Sequence, residues 1–155
     1  MQATFTDLAR LLAALMLGAS FGAILTAAGL LVPYWQSLPP ADFLTWFAAN
    51  AKRMLGFFGP LQTTSVLVAV VAAVATTWTG HPSKSLAILA AALAITVLGL
   101  YPAYFQRANA AFETARISTA EVPAALAQWA YWQWIRTSLA GASFIAALLA
   151  LRRAA

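Results

Sequence analysis

Long apolar runs separated by short polar breaks dominate the chain, and they predict four membrane-spanning helices. The first run covers 8–32 and is interrupted only by Arg10 near its start. A helix needs roughly 20 apolar residues to cross about 30 Å of hydrocarbon, so this run suffices. It is too long for the apolar part of a signal peptide, and Pro33, Tyr34 and Trp35 close it as an interfacial boundary, so a retained span is expected. Pro39, Pro40 and Asp42 open the next helix, with proline in the first turn where its missing N–H does no harm. Phe43, Trp46, Phe47, Asn50, Lys52 and Arg53 then predict an amphipathic segment at the interface between spans one and two. The second span covers 57–78, bent at its start by Pro60, and 79–82 forms a tight turn. The third span covers 86–105 and closes on Tyr101, Pro102 and Tyr104. A polar connection over 106–119 follows. Ser118 and Glu121 fit a capping box for the last helix, whose span covers 126–151 before Arg152 and Arg153 stop it.

Composition turns this pattern into a membrane protein. Of 155 residues 63% are hydrophobic and 8% charged, against about 25% charged in soluble domains. A soluble fold of this length could not hide so much apolar surface, whereas lipid removes the difficulty. The expected fold is an all-α, single-domain transmembrane four-helix bundle over 1–155. The net charge of +5 sits between apolar runs, which points to anionic headgroups and orientation rather than nucleic acid. Arg152-Arg153 directly abuts a span end, so both termini are expected on the cytoplasmic side, in a cell inner membrane. With no cysteine, disulfides, iron–sulfur clusters and thiolate chemistry are excluded. His81, the one histidine, reads as a solvated turn residue and cannot supply the usual haem or copper ligation. The four acids, Asp7, Asp42, Glu113 and Glu121, lie outside the spans, which disfavours a proton-coupled antiporter. Asp42, Glu113 and Glu121 show no metal-ligand spacing. No metal and no cofactor are expected.

Four spans bring the end of span one, the start of span two, the end of span three and the start of span four to one membrane face. Fifteen of the nineteen aromatic residues fall in those neighbourhoods. Ordinary aromatic belts occupy both interfaces, so the asymmetry needs a cause. Polar residues collect there too, among them Asn50, Arg53, Gln106, Asn109 and Gln128. Trp129, Trp132, Gln133 and Arg136 are spaced to form one stripe on the last helix. Arg136 falls inside the apolar run, where a guanidinium is costly unless it snorkels or finds a partner. Two readings follow. One is a small aromatic-walled pocket open to that face, with Asn109, Trp129, Trp132, Gln133 and Arg136 as candidate ligand-binding residues. The other is a lopsided belt with Arg136 snorkelling to headgroups. Gly18 and Gly22 form a GxxxG, extended by Ala14 and Thr26, which predicts close helix approach inside the bundle or, alternatively, a homodimer seam.

Several of these residues together resemble the anthrone oxygenase-like family of small four-span membrane proteins. The resemblance rests on Gly18-Ala-Ser-Phe-Gly22, then Pro33 and Leu38-Pro39, on Tyr101-Pro102 followed by Asn109, and on Trp129 followed by Arg136-Thr137. It implies a four-span bundle with Asn109, Trp129 and Arg136 at shared polar positions, and oxidation of an aromatic polyketide-type substrate in some members. Gln133 stands about where the family's last helix often carries a histidine, and a glutamine cannot act as a general base at neutral pH. Two functions are therefore carried forward. The first is a membrane module that binds a hydrophobic or aromatic small molecule or a lipid, or serves as a subunit of a membrane complex. The second is a cofactor-independent oxygenase-like membrane enzyme.

Overall fold

The computed structural model describes residues 2–152, with side chains from residue 4 to residue 152; Arg153 lies outside the described residues. The elements in order are α1 (Gln2–Thr26), a π-helical turn π1 (Ala27–Leu31), α2 (Val32–Ser37), α3 (Pro40–Trp78), α4 (Lys84–Leu100), a second π turn π2 (Tyr101–Phe105), α5 (Gln106–Glu113) and α6 (Val122–Arg152). The π turns join their neighbours without a break. Four continuous helices result, Thr4–Ser37, Pro40–Trp78, Lys84–Glu113 and Val122–Arg152, each long and apolar enough to cross a membrane. No strand occurs among the described residues.

Both π turns lie beside prolines, Pro33 just after π1 and Pro102 within π2. A proline ring collides with the carbonyl four residues earlier and offers it no N–H, and widening the turn relieves both problems. The wider ladder is visible in the bonds Val32 N–H to Ala27 O and Gln106 N–H to Tyr101 O. Helix ends are equally specific. Gly80 at φ +65° closes α3, with His81 N–H bonded to Thr76 O at 2.9 Å, and Ala115 at φ +48° closes α5 in the same way. At the start of α6, Ser118 donates its backbone N–H and its hydroxyl to Glu121 Oε2, at 3.0 and 2.6 Å. These two bonds hold the Glu121 carboxyl below the usual carboxylate range.

Two boundaries differ from the sequence expectation. The segment 43–53 is not a separate helix: it runs straight into span two as the first part of the 39-residue α3, about 58 Å long. That exceeds the hydrocarbon thickness, so its first turns stand beyond the core. The connection after span three is also shorter than expected. Its first half is α5, whose Phe112 is buried beside Phe43 and Phe47 of α3.

Around the bundle α1 lies against α3 and α6, and α4 lies against α3 and α6, so α3 and α6 face each other across a diagonal. The interior at the terminal end is mostly alanine, including Ala69, Ala73, Ala87, Ala90, Ala94 and Ala147. Leu8, Leu15, Leu67, Val74, Ile88 and Ile145 point outward instead. Lipid tails solvate leucine well, so small residues that allow backbones to approach are what holds such helices together. At the opposite end Trp35, Phe43, Phe47, Phe105, Phe112 and Trp129 fill the interior.

The small-residue stripe on α1 splits. A Cβ on Gly18 would stand 2.9 Å from Phe144 Cε2, so this glycine lets α6 close in. Gly22 meets nothing within 4 Å and is exposed, as is Thr26. The expectation that Gly22 packs inside the bundle is therefore corrected; only Ala14 and Gly18 do. Gly18→Leu should destabilise the protein by about 1–3 kcal/mol through overpacking, while Gly22→Leu should leave it within experimental error. Unfolding midpoints in the same detergent check this, and equal midpoints would sink it.

At the terminal end Arg10 is 2% exposed. It donates to Asp7 Oδ1 at 3.0 Å, to His81 Nε2 at 3.2 Å and to the Ala150 carbonyl. His81 is thus not a freely solvated turn residue: it ties the α3–α4 turn to α1.

Candidate functional site

Large rings crowd the aromatic end without filling it. Trp35 stands edge-on to Trp129 at 5.3 Å and to Phe47 at 5.6 Å, and Phe105 stands edge-on to Trp129 at 5.1 Å. Below this layer lies a cavity of about 300 Å³. Its wall takes residues from every span: Ile24, Ala27, Leu31 and Trp35; Phe47, Met54, Phe58 and Gln62; Leu98, Tyr101 and Asn109; Trp129, Gln133 and Arg136. The volume falls at the lower end of the range typical of small-molecule sites.

Both π turns contribute to this wall, through Ala27 and Leu31 of π1 and Tyr101 of π2. A π turn shifts the helical register by about one residue and re-aims the side chains that follow. Without π1, Trp35 would leave the interior; without π2, Phe105 and Asn109 would rotate away from Trp129.

Arg136 points inward. Its Nη2 donates to Gln62 Oε1 at 2.7 Å, and its guanidinium carbon lies 5.0 Å from the centre of the Phe105 ring. The pair crosses the bundle diagonal from α6 to α3, a reach that only a long side chain can make. It is a neutral partner for a cation, so the positive charge remains uncompensated by any acid. Phe105 supplies a further cation–π contact. Gln133 Nε2 donates to Ile24 O at 3.0 Å, and Trp129 Nε1 donates to Asn109 Oδ1 at 2.9 Å.

Of the five expected site residues the structure brings four together: Asn109, Trp129, Gln133 and Arg136 all line the cavity. Trp132 does not. It stacks on Tyr104 at 5.3 Å on the flank of the bundle, because α6 turns that position away from the interior. Gln62 and Trp35 are the wall residues that sequence reasoning missed. Gln62 is the one amide within the apolar run 57–78, and a polar side chain at membrane depth is a functional signal in its own right. Trp35 passed as an interfacial boundary marker. Among the described residues no acidic, histidine and cysteine cluster could hold a metal, so Asp42, Glu113 and Glu121 do not converge.

The hydrogen-bond inventory of this wall is incomplete in a patterned way. Trp35 Nε1, Gln62 Nε2 and Arg136 Nε are buried donors without a partner, and Gln133 Oε1 is a buried acceptor without one. All four belong to cavity residues, although each atom is itself shielded from the lumen, and Arg10 Nε at the terminal end is a fifth of the same kind. Such atoms are rare in native interiors and are expensive in a low-dielectric setting. The cation of Arg136 in the wall favours oxygen acceptors. No protein-family model, curated protein or solved structure matches this chain, so the site stands on its geometry alone.

Proposed function

We propose that this membrane protein binds a hydrophobic small molecule, ring-bearing and carrying an anionic or carbonyl oxygen, in the chamber at the aromatic end of its bundle. The observation that carries this reading is an aromatic-walled cavity of about 300 Å³ at the depth of the spans, with the cation Arg136 and the amides Gln62, Asn109 and Gln133 in its wall. An anionic or carbonyl oxygen is drawn to Arg136, and the neighbouring amides offer both donors and acceptors to the rest of the molecule. Arg136 supplies charge, and the flanking rings supply stacking and edge contacts. Because Arg152-Arg153 abuts the end of the last span, we further propose a cell inner membrane with both termini cytoplasmic; a C-terminal reporter fusion active only outside the cell would overturn that orientation.

9-Anthracenecarboxylate, which is flat, fluorescent and anionic, is a suitable probe. Purified protein in nanodiscs should bind it saturably above the background of empty nanodiscs, with energy transfer from tryptophan. Uptake no greater than that of empty nanodiscs would remove the reading.

One observation favours a second function. Asn109, Trp129 and Arg136, the positions at which the chain resembles anthrone oxygenase-like proteins, all line the chamber. As an oxygenase the protein would consume dioxygen when given a hydroxyanthrone, and uptake equal to that of the Arg136→Leu variant would eliminate this alternative.

A further inference from the structure

The chamber described above has an asymmetric wall. The first helix and α6 contribute Ile24, Ala27, Trp35, Trp129, Gln133 and Arg136, all buried, and the half-buried Leu31. The exposed wall residues, Leu55, Thr63 and Glu113, belong to α3 and to its neighbour, the Lys84–Glu113 helix. Half-buried Phe58 and Gly59 on α3, with Leu98 and Tyr101 across from them, complete that side. The end of the bundle, by contrast, is crowded with rings. Phe43, Phe47 and Phe112 are each no more than 2% exposed and pack on one another, and fully buried Phe105 stands edge-on to Trp129.

Depth along the helices places this opening against lipid. Taking the 79–83 turn as the far interface, Thr63 and Gly59 stand about 23 and 29 Å up α3, and Leu98 and Tyr101 about 21 and 26 Å up their helix. All four fall within the roughly 30 Å of hydrocarbon. Leu55, about 35 Å up α3, and Glu113, about 44 Å up its helix, are at the interface or beyond it. The wall thus reaches from lipid depth to the interface where Glu113 stands.

Backbone irregularity concentrates at the same place. Gly56, Gly59 and Pro60 fall within one turn of α3, and Pro60 leaves the Gly56 carbonyl without its helical partner. Across the gap lies π2 with Pro102. Glycine weakens a helix and π turns relax its ladder, so both edges of the opening carry local breaks in regular helical bonding.

We propose that the chamber is loaded laterally from the bilayer, through a gap between α3 and the Lys84–Glu113 helix whose sill is Gly59. This rests on the ligand-binding reading and adds the ligand's source: a molecule dissolved in the membrane, not one taken from water. Gly59 is the position to test, because a Cβ there meets only Leu55 Cδ1, at 3.9 Å, so a larger side chain can be placed in the gap without displacing backbone.

The test is the kinetics of 9-anthracenecarboxylate loading and release by the full-length protein in nanodiscs. Gly59→Leu should slow both rates by about tenfold while changing equilibrium occupancy far less, as expected of a gate. Leu98→Ala, which widens the gap, should speed both. Unchanged rates in both variants, with binding intact, would overturn lateral loading and leave the binding reading standing. Failure of the wild-type protein to bind the probe would overturn the binding reading, and lateral loading with it. If Gly59→Leu loses binding altogether, Leu98→Ala decides: no acceleration there overturns the proposal. A loading rate that responds only to Glu113→Lys would assign the route to the aqueous rim instead.

Discussion

Replacing Arg136 with leucine should weaken 9-anthracenecarboxylate binding by about 10- to 150-fold while leaving the bundle folded, because one charge-assisted contact contributes about 1.5–3 kcal/mol. The two halves of this expectation have separate causes. Binding falls because Arg136 carries the one cation on the chamber wall, and no neighbouring donor can replace its charge. Folding persists because leucine suits that depth, where a central arginine costs about 2.5–3.5 kcal/mol on insertion scales. The opposing loss is the bond to Gln62 Oε1, and membrane-buried hydrogen bonds average only about 0.6 kcal/mol. Gln62 is then left with both amide ends unpaired. The double variant Arg136→Leu/Gln62→Leu should therefore unfold at a higher denaturant concentration than the single variant. Titration of the probe against each variant, alongside circular dichroism, checks both points. Retained affinity in the folded single variant would show that the rings alone hold the ligand.

The four spans were legible because lipid imposes a length and a composition that local sequence cannot disguise. Where each helix stops was less legible. The segment 106–113 reads as a polar loop, yet it stays helical because the ladder continues through π2 and one face, Phe112 with Ala108, finds a partner on α3. Hydropathy reports the solvent around a segment rather than its backbone. The crowding of rings at one end was also visible, and its cause is now clear. Alanine layers seal the helices together at the terminal end, whereas the other end is wide enough that Arg136 and Gln62 meet across its diagonal. Large rings are needed there, and they leave a void. Helical spacing alone made Trp132 and Gln133 neighbours on one stripe. The stripe is wider than the chamber, so Trp132 falls on the flank. Gly22 failed for a related reason: a four-residue repeat drifts around a helix of 3.6 residues per turn, and two turns after Ala14 it has left the contact with α6.

At the opposite end, Arg10→Met should lower stability by about 2 kcal/mol without altering probe affinity. Arg10 joins three elements. Its guanidinium reaches the Ala150 carbonyl in the last described turn of α6. It also donates to His81 Nε2. On the other side of the ring, His81 Nδ1 accepts the Ser83 backbone N–H at 3.1 Å and lies 2.8 Å from Ser83 Oγ. That chain pins the α3–α4 turn to both α1 and α6. The bond to Asp7 is a lesser part, because the Asp7 side chain is 61% exposed and such pairs contribute about 0–1 kcal/mol. Asp7→Asn should accordingly be almost silent. Arg10→Lys should fall between the two, since an ammonium keeps the charge but cannot fork to three partners. Equal unfolding midpoints for Arg10→Met and Asp7→Asn would rule out the buried network as a source of stability. The chamber should not register any of these changes, because Ile24 on its wall is about 21 Å further along α1 and the alanine layers between have no second arrangement to transmit.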